Sequence, residues 1–563
     1  MKNINCLILI IAFVSLFIAC KKENNTFESK LMIGNAYLEV SNKSQRYTFD
    51  VLSNQNIEVS TEASWITLDS ANFEKGKNKV GFTTLANEDD ERSGIILVKM
   101  GAENEREVLV VQETGKAPVF YVKPDGTGDG KSWANATDLN TALEKSTTNS
   151  IIYLSEGIYK PSKTIRNGDA TNQADNTFEI AKNLTLIGGF EANATSASKS
   201  NPSIYKTILD GQLSASVNCY HTVTITAAFD AESKVSISGI IIKGGNATNR
   251  GSNVTIADVR YNRGWGGGML IANAKVELND VEVVDNKTSN SGGTVGYGAG
   301  IYAFNNADIT FRNVKINDNK GGNNGGGMWL ADGNLTAYNS QFNNNSASGT
   351  AAGLHGYPNA TITLYNCEIK NNSNTSYGAG LYVRENSKAY VINSLISGNK
   401  STSANGGGGV MLYGGTTVYL ISSTIVNNTS AGPGGGVYRR NLVNNLEIYN
   451  SLVAGNIQAS TSKDVDNFVE ATATNPTIRN SVIMTSVYSD QGTIEAGSSF
   501  VPSAMLNSDF MPIGQNNPAL VKGVDKEGLS AYASTFNPIF SDHITKDMFG
   551  AERQLKIMGY KVK

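Results

Sequence analysis

Residues 325–345 read GGGMWLADGNLTAYNSQFNNN, and this stretch contains both signatures that decide the fold. A triplet of small residues opens the unit, and two asparagines six positions apart, Asn339 and Asn345, close it. The triplet recurs at intervals of 32, 27, 26, 27, 29 and 27 residues, with apolar residues alternating between triplets. Its last residues are Gly268, Gly300, Gly327, Gly353, Gly380, Gly409 and Gly436. A period of this length predicts a β-solenoid with one coil per repeat.

The asparagine pair recurs with the same six-residue gap in most of these units. The pairs are Asn313 and Asn319, Asn339 and Asn345, Asn366 and Asn372, Asn393 and Asn399, and Asn450 and Asn456, while Ser422 replaces the first asparagine before Asn428. Glycines permit the left-handed backbone that tight corners need. Asparagines stacked at equivalent turns can hydrogen-bond along the solenoid axis, as in other cross-β ladders.

Together the two signatures resemble the repeat of polymorphic outer-membrane proteins, over residues 266–456. The resemblance implies a right-handed parallel β-helix at a bacterial surface, commonly used for adhesion. Residues 121–159 resemble the entrance of pectate-lyase-like β-helices, and Asp138 to Lys145 reads as a helix that caps the open end. We assign the β-helix with its N-terminal cap to residues 120–470, and the last coils and C-terminal tail to residues 471–563.

The first twenty residues have the pattern of a processing signal. Lys2 is followed by an apolar run from Leu7 to Ile18 that is too short to span a membrane comfortably. Residues 16–20 read LFIAC, which resembles the lipobox of bacterial lipoproteins. The resemblance implies that Cys20 becomes the lipidated first residue, and buried lipid contributes about 0.8 kcal/mol per CH₂ group. With residues 21–30 as a tether, we expect a surface-exposed outer-membrane lipoprotein whose only membrane contact is its lipid anchor.

Residues 31–115 contain short alternating strands separated by Asn, Gly and Asp turns, which predicts an all-β sandwich. The segment resembles the BACON family through residues 63–66 (ASWI), Asn87, residues 92–95 (RSGI) and residues 110–113 (VVQE). The resemblance implies an immunoglobulin-like module that binds carbohydrate or acts as a spacer. Trp65 is a possible sugar platform, but its apolar neighbours favour a place in the core.

Composition excludes some functions. The 47 basic and 50 acidic residues give a net charge of -3, without the concentrated basic footprint that nucleic-acid binding needs. Cys219 and Cys367 stand far apart, which favours two buried thiols over a disulfide. No metal-ligand cluster and no cofactor motif is found, and we expect a monomer.

Side chains alternate along a strand, so the residues after each triplet separate into two faces. The first positions are uniformly apolar and predict the core: Met269, Ile301, Met328, Leu354, Leu381, Val410 and Val437. The second positions are Leu270, Tyr302, Trp329, His355, Tyr382, Met411 and Tyr438, and the fourth are Ala272, Phe304, Ala331, Tyr357, Arg384, Tyr413 and Arg440. Both sets should point outward as a solvent-facing wall of rings, on coils about 4.8 Å apart.

We interpret this wall as a glycan-binding or adhesive face, because ring faces stack on sugar C–H groups and such exposed patches mark interaction sites. The expected partner is a polysaccharide or a host or cell-surface glycan, and arginines favour an acidic sugar. The residues of the expected site are Tyr302, Phe304, Trp329, His355, Tyr357, Tyr382, Arg384, Tyr413, Tyr438 and Arg440. A structural interpretation stays open, in which stacked rings stabilise one another and the C-terminal tail covers them.

Catalysis is the alternative function. A glycosidase needs paired carboxylates, and the acids nearest this face, Asp332 and Glu385, fall just past the strand positions. A calcium-assisted lyase needs a carboxylate cluster, which the sequence lacks. A metal-free polysaccharide lyase acting on an acidic polymer could use His355, Tyr357, Tyr382 and Arg384. Without the carboxylates, the sequence favours binding.

Overall fold

A computed structural model describes residues 30–102, 104–248, 252–289, 296–440 and 445–459, with short pieces of the chain from there to residue 559. The leader, Cys20 and most of the tether lie outside these residues, as do most residues of the C-terminal tail. The chain divides between Ala117 and Pro118 into two compact units, which are described separately. Among the described residues, no helix is long and apolar enough to cross a membrane.

The first unit is a β-sandwich, as the sequence predicts. One sheet has four strands, in the order Leu31–Ile33, Arg46–Ser53, Gly76–Thr84 and Ile66–Leu68. The other has five strands, in the order Tyr37–Val40, Asn104–Gln112, Arg92–Met100, Ile57–Thr61 and Asn72–Phe73. Alternate residues of the long strands, such as Val80, Phe82, Ile96 and Val98, are fully buried between the sheets. This alternation is the pattern of a sheet with one buried face.

The second unit is a right-handed parallel β-helix, and its coils between Val235 and Asn467 pass through four sheets in turn. Successive coils pair in parallel and in register, for example Leu335 with Ile362 and Ala337 with Leu364. The inward residues of all coils, among them Leu335, Phe342 and the seven first positions after the triplets, form one continuous core. The predicted core face is therefore confirmed.

The strands of each sheet follow one another along the axis. The first sheet contains Val119–Val122, Ile151–Ser155, Thr185–Phe190, Val235–Ser238, Lys275–Asn279, Asp308–Arg312, Asn334–Tyr338, Thr361–Tyr365, Lys388–Ile392, Thr417–Ile421, Asn445–Tyr449, Thr477–Arg479 and Thr493–Ile494. The second contains Gly157–Tyr159, Thr207–Asp210, Ile240–Lys243, Glu282–Val284, Lys315–Asn317, Gln341–Asn343, Glu368–Lys370, Leu395–Ser397, Thr424–Val426, Leu452–Ala454, Val482–Ile483 and Ser499–Phe500.

The other two sheets complete the coil. The third contains Asn246–Ala247, Lys287–Thr288, Lys320–Gly321, Ser346–Ala347, Ser373–Asn374, Lys400–Ser401, Thr429–Ser430 and Ile457–Gln458. The fourth, which follows the triplets, contains Phe178–Ile180, Val223–Ile225, Met269–Ala272, Ile301–Phe304, Met328–Leu330, Leu354–Gly356, Leu381–Arg384, Val410–Tyr413, Val437–Arg439 and Val465–Asn467. An antiparallel hairpin, Asn253–Ile256 with Val259–Asn262, is inserted in the chain after the third-sheet strand Asn246–Ala247 and before the fourth-sheet strand Met269–Ala272.

The triplets form the corner that leads into the fourth sheet. The first residue of every triplet has a positive φ, between 50° at Ala351 and 83° at Gly407, which glycine adopts without strain. The last glycine is needed for space: a Cβ on Gly327 would lie 2.5 Å from the carbonyl oxygen of Gly353 and 2.9 Å from Nδ2 of Asn345. The triplet therefore both turns the chain and makes room for the asparagine beside it.

Seven fully buried asparagines, one per coil, form a hydrogen-bonded ladder along the axis: Asn286, Asn319, Asn345, Asn372, Asn399, Asn428 and Asn456. The Oδ1 of Asn372 accepts from the backbone N–H of Asn345 at 2.9 Å and from its Nδ2 at 3.1 Å. The Nδ2 of Asn372 donates to Oδ1 of Asn399 at 2.8 Å and to the carbonyl of Phe342 at 2.7 Å. The predicted axial ladder is confirmed.

Among the described residues, two α-helices pack on the solenoid. Helix α1, Leu139–Lys145, begins after the N-cap Asp138 and buries Leu139 and Ala142 in the core at the first coil, which confirms the predicted cap. Helix α2, Lys526–Ser534, belongs to the C-terminal tail and packs Leu529 and Tyr532 on the outer face of the first sheet. Cys219 and Cys367 are buried free thiols, as expected.

Candidate functional site

The outer face of the fourth sheet is the surface on which the sequence places the site. Its second-position side chains do point away from the solenoid core, because they belong to hydrophobic clusters separate from that core. They are not exposed to solvent, however. Tyr302, Trp329, His355, Tyr382 and Tyr438 have between 0% and 6% of their surface exposed. The prediction of a solvent-facing wall is wrong for these five residues.

In the N-terminal half of this face, the inserted hairpin and an aromatic residue that precedes a triplet cover the rings. Val254, Ile256 and Tyr261 of the inserted hairpin join Tyr302 and Trp329 in one buried cluster. Trp265, which precedes a triplet, stacks on the ring of Tyr302 with centroids 4.7 Å apart. The indole Nε1 of Trp329 donates to the carbonyl of Tyr357 at 2.8 Å. We call this set the covered cluster: Val254, Ile256, Tyr261, Trp265, Tyr297, Tyr302, Phe304 and Trp329.

The hairpin is held at its base by polar contacts. Arg263 forms a bidentate ion pair with Asp175, with only 11% and 2% of the two side chains exposed. Asn167 Nδ2 donates to the carbonyl of Thr255 on the hairpin at 2.9 Å. Two chain segments that are far apart in sequence are thereby fixed over the fourth sheet.

His355 lies within the stack of rings. Its imidazole centroid is 4.3 Å from Trp329 and 4.9 Å from Tyr382, and both ring nitrogens are buried without a hydrogen-bond partner among the described residues. Burial, with a contribution from the nearby Arg384 charge, lowers its pKa to about 3. A base must reach its substrate, and His355 is fully buried. Burial also raises the pKa of Tyr382. The structure therefore places neither residue as the base of the lyase hypothesis.

The C-terminal half of the same face is partly open. Tyr382, Met411 and Tyr438 form a buried floor. Five partly buried residues lie above or beside this floor, and we call them the Arg–Tyr ladder: Tyr357, Tyr377, Arg384, Tyr413 and Arg440. Tyr377 and Tyr413 pack on the floor, whereas Tyr357 packs against the covered cluster. Four of them are expected site residues, and the structure brings them together. Phe304, also expected in the site, is half-buried but belongs to the covered cluster.

Arginines and tyrosines alternate along this ladder. The guanidinium carbon of Arg384 lies 4.4 Å from the ring centre of Tyr357 and 5.6 Å from that of Tyr413. Arg440 lies 5.1 Å from Tyr413 and 4.3 Å from Tyr377. The faces of Tyr413 are therefore occupied by guanidinium groups, a favourable cation–π arrangement. What the ladder offers a ligand is its edges, the guanidinium N–H groups and phenol hydroxyls, rather than ring faces.

Tyr377 was missed by the sequence analysis. It occupies the position immediately before a triplet, which Trp265 and Tyr297 also occupy in earlier coils. Aromatic residues at three equivalent turns were the signal that could have revealed it. The corresponding turns of neighbouring coils pair directly, as Trp265 does with Tyr297.

The carboxylates near the ladder are engaged with neighbours. Glu385 Oε1 lies 2.8 Å from Nη2 of Arg384, and Asp332 Oδ1 accepts from Nδ2 of Asn359 at 2.8 Å. Within the described ranges, no three His, Cys, Asp or Glu side chains converge as a metal site would require. The arrangement supplies hydrogen-bond donors and positive charge, which is suited to binding.

In the sandwich, Trp65 is 8% exposed and belongs to the core. Arg92 lies over its ring at 4.7 Å and donates through Nε to Oε1 of Gln112 at 2.8 Å. Asn87 is also buried and donates to the carbonyls of Asp90 and Glu113. Three residues of the family resemblance, Trp65, Asn87 and Arg92, therefore pack or hydrogen-bond within the sandwich, which is a structural role.

A second aromatic face, which the sequence analysis did not identify, lies on the first sheet. Its tyrosines are Tyr338, Tyr365, Tyr390, Tyr419 and Tyr449. Tyr338 stacks on Tyr365 at 5.0 Å, and helix α2 covers Tyr449 with Tyr532 at 3.7 Å between ring centroids. Helix α2 of the C-terminal tail thus covers rings on the first sheet. The structural alternative predicted from the sequence placed the tail over the outward rings of the fourth sheet.

Comparison with known proteins identifies one domain by sequence. Residues 55–113 match the BACON family, described as "Putative binding domain, N-terminal". No curated protein matches the chain.

Three solved structures illustrate the structural likeness. Pectate lyase Pel9A is 13% identical, covering 79% of this chain and 90% of its own, with a TM-score of 0.37. A family 28 exopolygalacturonase from Yersinia enterocolitica is 11% identical, with coverages of 80% and 91% and a TM-score of 0.17. A Bacteroides ovatus GH5 xyloglucanase in complex with a XXXG heptasaccharide is 17% identical over 37% of this chain, and the match spans 46% of the xyloglucanase, with a TM-score of 0.16. Likenesses this low carry no argument about activity.

Proposed function

We propose that this chain is an outer-membrane lipoprotein, held at the cell surface by lipids on Cys20, that binds a glycan along the Arg–Tyr ladder. The observation that supports glycan binding is the half-buried row of Tyr357, Arg384, Tyr413 and Arg440 on successive coils. The backbone positions of these four residues repeat at the coil rise of about 4.8 Å. A linear polymer of similar repeat can meet them one after another.

The mode of binding differs from stacking on ring faces. Guanidinium groups cover the faces of Tyr413, so a sugar would be held by hydrogen bonds to the edges of the rings and guanidiniums. Tyr302, Trp329, His355, Tyr382 and Tyr438 act beneath or beside the site, because their side chains are buried. They support the ladder and do not contact the glycan.

A glycan array probed with the chain from residue 21 onward tests the binding function. Tyr413→Ala should weaken binding to any glycan recognised by the unaltered chain at least tenfold, about 1.4 kcal/mol. Tyr338→Ala is the matched control, since Tyr338 lies under Arg312 at 4.6 Å on the first sheet and should leave binding unchanged. Failure of the unaltered chain to bind any glycan, or equal losses in both variants, would reject the proposal.

Anchoring is tested separately. A Cys20→Ser chain should move from the membrane fraction to the soluble fraction of the cells that produce it, since lipid attachment requires the thiol. A chain that stays in the membrane fraction after this substitution would contradict the lipoprotein assignment.

A further inference from the structure

The two arginines of the ladder suggest what the glycan carries. Arg384 pairs in register with Tyr413 on the next coil, and Arg440 follows on the coil after that, with its backbone N–H donating to the carbonyl of Leu412. Two coil rises, about 9.6 Å, therefore separate the backbone positions of the arginines. Tyr413 lies between them and separates the two positive charges.

Each guanidinium is held in place by its neighbours. Arg384 lies between the rings of Tyr357 and Tyr413, and Arg440 between those of Tyr413 and Tyr377. Stacking uses the flat face of the guanidinium, and because Nε of Arg384 is buried, its terminal Nη groups are the donors left for a ligand. Those donors match a carboxylate in bidentate geometry, and a held guanidinium loses less conformational entropy on binding than a free one.

We propose that the ladder recognises a linear acidic polysaccharide with a carboxylate on every second sugar. An extended pyranose residue advances by a distance comparable with one coil rise, so alternate residues would face Arg384 and Arg440. The sugar between them would lie beside Tyr413, whose hydroxyl can donate to or accept from a neutral ring substituent. This inference rests on the proposed glycan binding and specifies its ligand.

Glu385 modulates the site. Its carboxylate pairs with Arg384 at 2.8 Å, and both side chains are partly exposed, 41% and 32% respectively. An exposed pair of this kind is weak and can be exchanged for a ligand carboxylate. Glu385 therefore competes with the ligand at one end of the ladder.

The test compares charged and uncharged forms of the same polymers. Oligosaccharides of unsulfated chondroitin and of hyaluronan carry a carboxylate on every second sugar, and carboxyl reduction removes it. We expect chondroitin or hyaluronan to bind at least tenfold more tightly than its carboxyl-reduced form. This preference should fall as the salt concentration rises. Polygalacturonate, with a carboxylate on every sugar, should bind more weakly.

Variants assign the preference to the ladder. Arg440→Ala and Arg384→Ala should each lose most of the preference for the charged form, Arg384→Lys should restore part of it, and Glu385→Gln should raise affinity about twofold. Arg312→Ala is the control, because Arg312 stacks on Tyr338 in the same way on another sheet.

The outcomes separate this inference from the proposed function. Equal binding of charged and reduced polymers would overturn the inference and leave glycan binding intact. Equal binding of polygalacturonate would reject the alternate spacing. A preference that survives both Arg384→Ala and Arg440→Ala would place the acidic site elsewhere and overturn the assignment to the ladder. Absence of binding to every glycan would reject the proposed function as well.

Discussion

The two halves of the outer face of the fourth sheet come from one repeat but differ in what lies above them. In the N-terminal half, Tyr302 and Trp329 lie in the covered cluster, with the hairpin and Trp265 packed over them. In the C-terminal half, Tyr382 and Tyr438 lie under Arg384, Tyr413 and Arg440, which reach solvent. The repeat directs side chains outward in both halves. The residues packed above the rings differ between the halves and decide which of them a ligand can reach.

The chemistry of the covering layer explains the difference. The hairpin places Val254, Ile256 and Tyr261 on the rings, and this apolar surface gains free energy by leaving water. Arginine and tyrosine combine an apolar body with a polar end, so they can cover the floor while their ends stay hydrated. A half covered in this way needs no further segment over it.

Replacing one ring in each half should give the largest difference in the free energy of unfolding between the two halves. Trp329→Ala removes a 5% exposed indole and its hydrogen bond to Tyr357, which should lower the free energy of unfolding by about 3–5 kcal/mol. Tyr413→Ala should cost less than about 1 kcal/mol, because the side chain is partly exposed. Urea unfolding of the two variants measures both values. Equal losses would show that the halves do not differ in stability.

The ion pairs of the two halves, Arg263 with Asp175 and Arg384 with Glu385, should also differ in how much they contribute to stability. Arg263→Met leaves the Asp175 carboxylate buried without its partner and should cost about 3 kcal/mol, with faster proteolysis of the hairpin at residues 253–262. Arg384→Met breaks a partly exposed pair with Glu385 and should change stability by less than about 1 kcal/mol. Limited proteolysis and unfolding curves report on both. An unchanged cleavage rate in Arg263→Met would show that the ion pair does not hold the hairpin.

His355, at the boundary of the halves, should make stability depend on pH. Its pKa falls to about 3 in the folded chain, below about 6.5 for an unfolded histidine, so the unfolded state binds more protons in between. The free energy of unfolding that depends on His355 being neutral is fully present above about pH 6.5 and decreases as the pH falls toward 3. The loss attributable to His355 should be about 2 kcal/mol at pH 5.

His355→Phe isolates this effect, because a phenylalanine ring fills the stack and takes up no proton. The difference in unfolding free energy between the two chains should shift by about 2 kcal/mol between pH 7 and pH 5 in favour of the variant. His221, whose pKa burial lowers to about 4, remains in both chains and cancels in the comparison. A difference independent of pH would mean that His355 is not buried in its neutral form.

Much of the fold follows from local sequence. The triplet period gives one coil per repeat, and the first positions after each triplet supply the core because their side chains alternate with the outward ones. The last asparagine of each pair is fully buried and needs hydrogen-bond partners, and its equivalents in neighbouring coils supply them together with backbone carbonyls, so its recurrence predicts the axial ladder. Asp138 at the start of the helical pattern likewise predicts the cap.

The candidate site could be predicted only in part. Tyr357, Arg384, Tyr413 and Arg440 occupy the fourth position after a triplet. The alternation of side chains along a strand predicts that this position faces outward, and the structure brings the four side chains together. The exposure predicted for Trp329 and His355 was wrong, because alternation fixes direction and carries no information about what packs above.

The solenoid, its corners, its core and the outward direction of the rings can be predicted from the sequence alone, since these depend on residues close together in the repeat. Which rings remain accessible depends on tertiary packing. That outcome depends on long-range contacts: Arg263 with Asp175 holds the hairpin over the fourth sheet, and helix α2 covers tyrosines of the first. The stacking of guanidiniums on Tyr413, which turns a wall of ring faces into a row of polar edges, is likewise set by side chains from different coils.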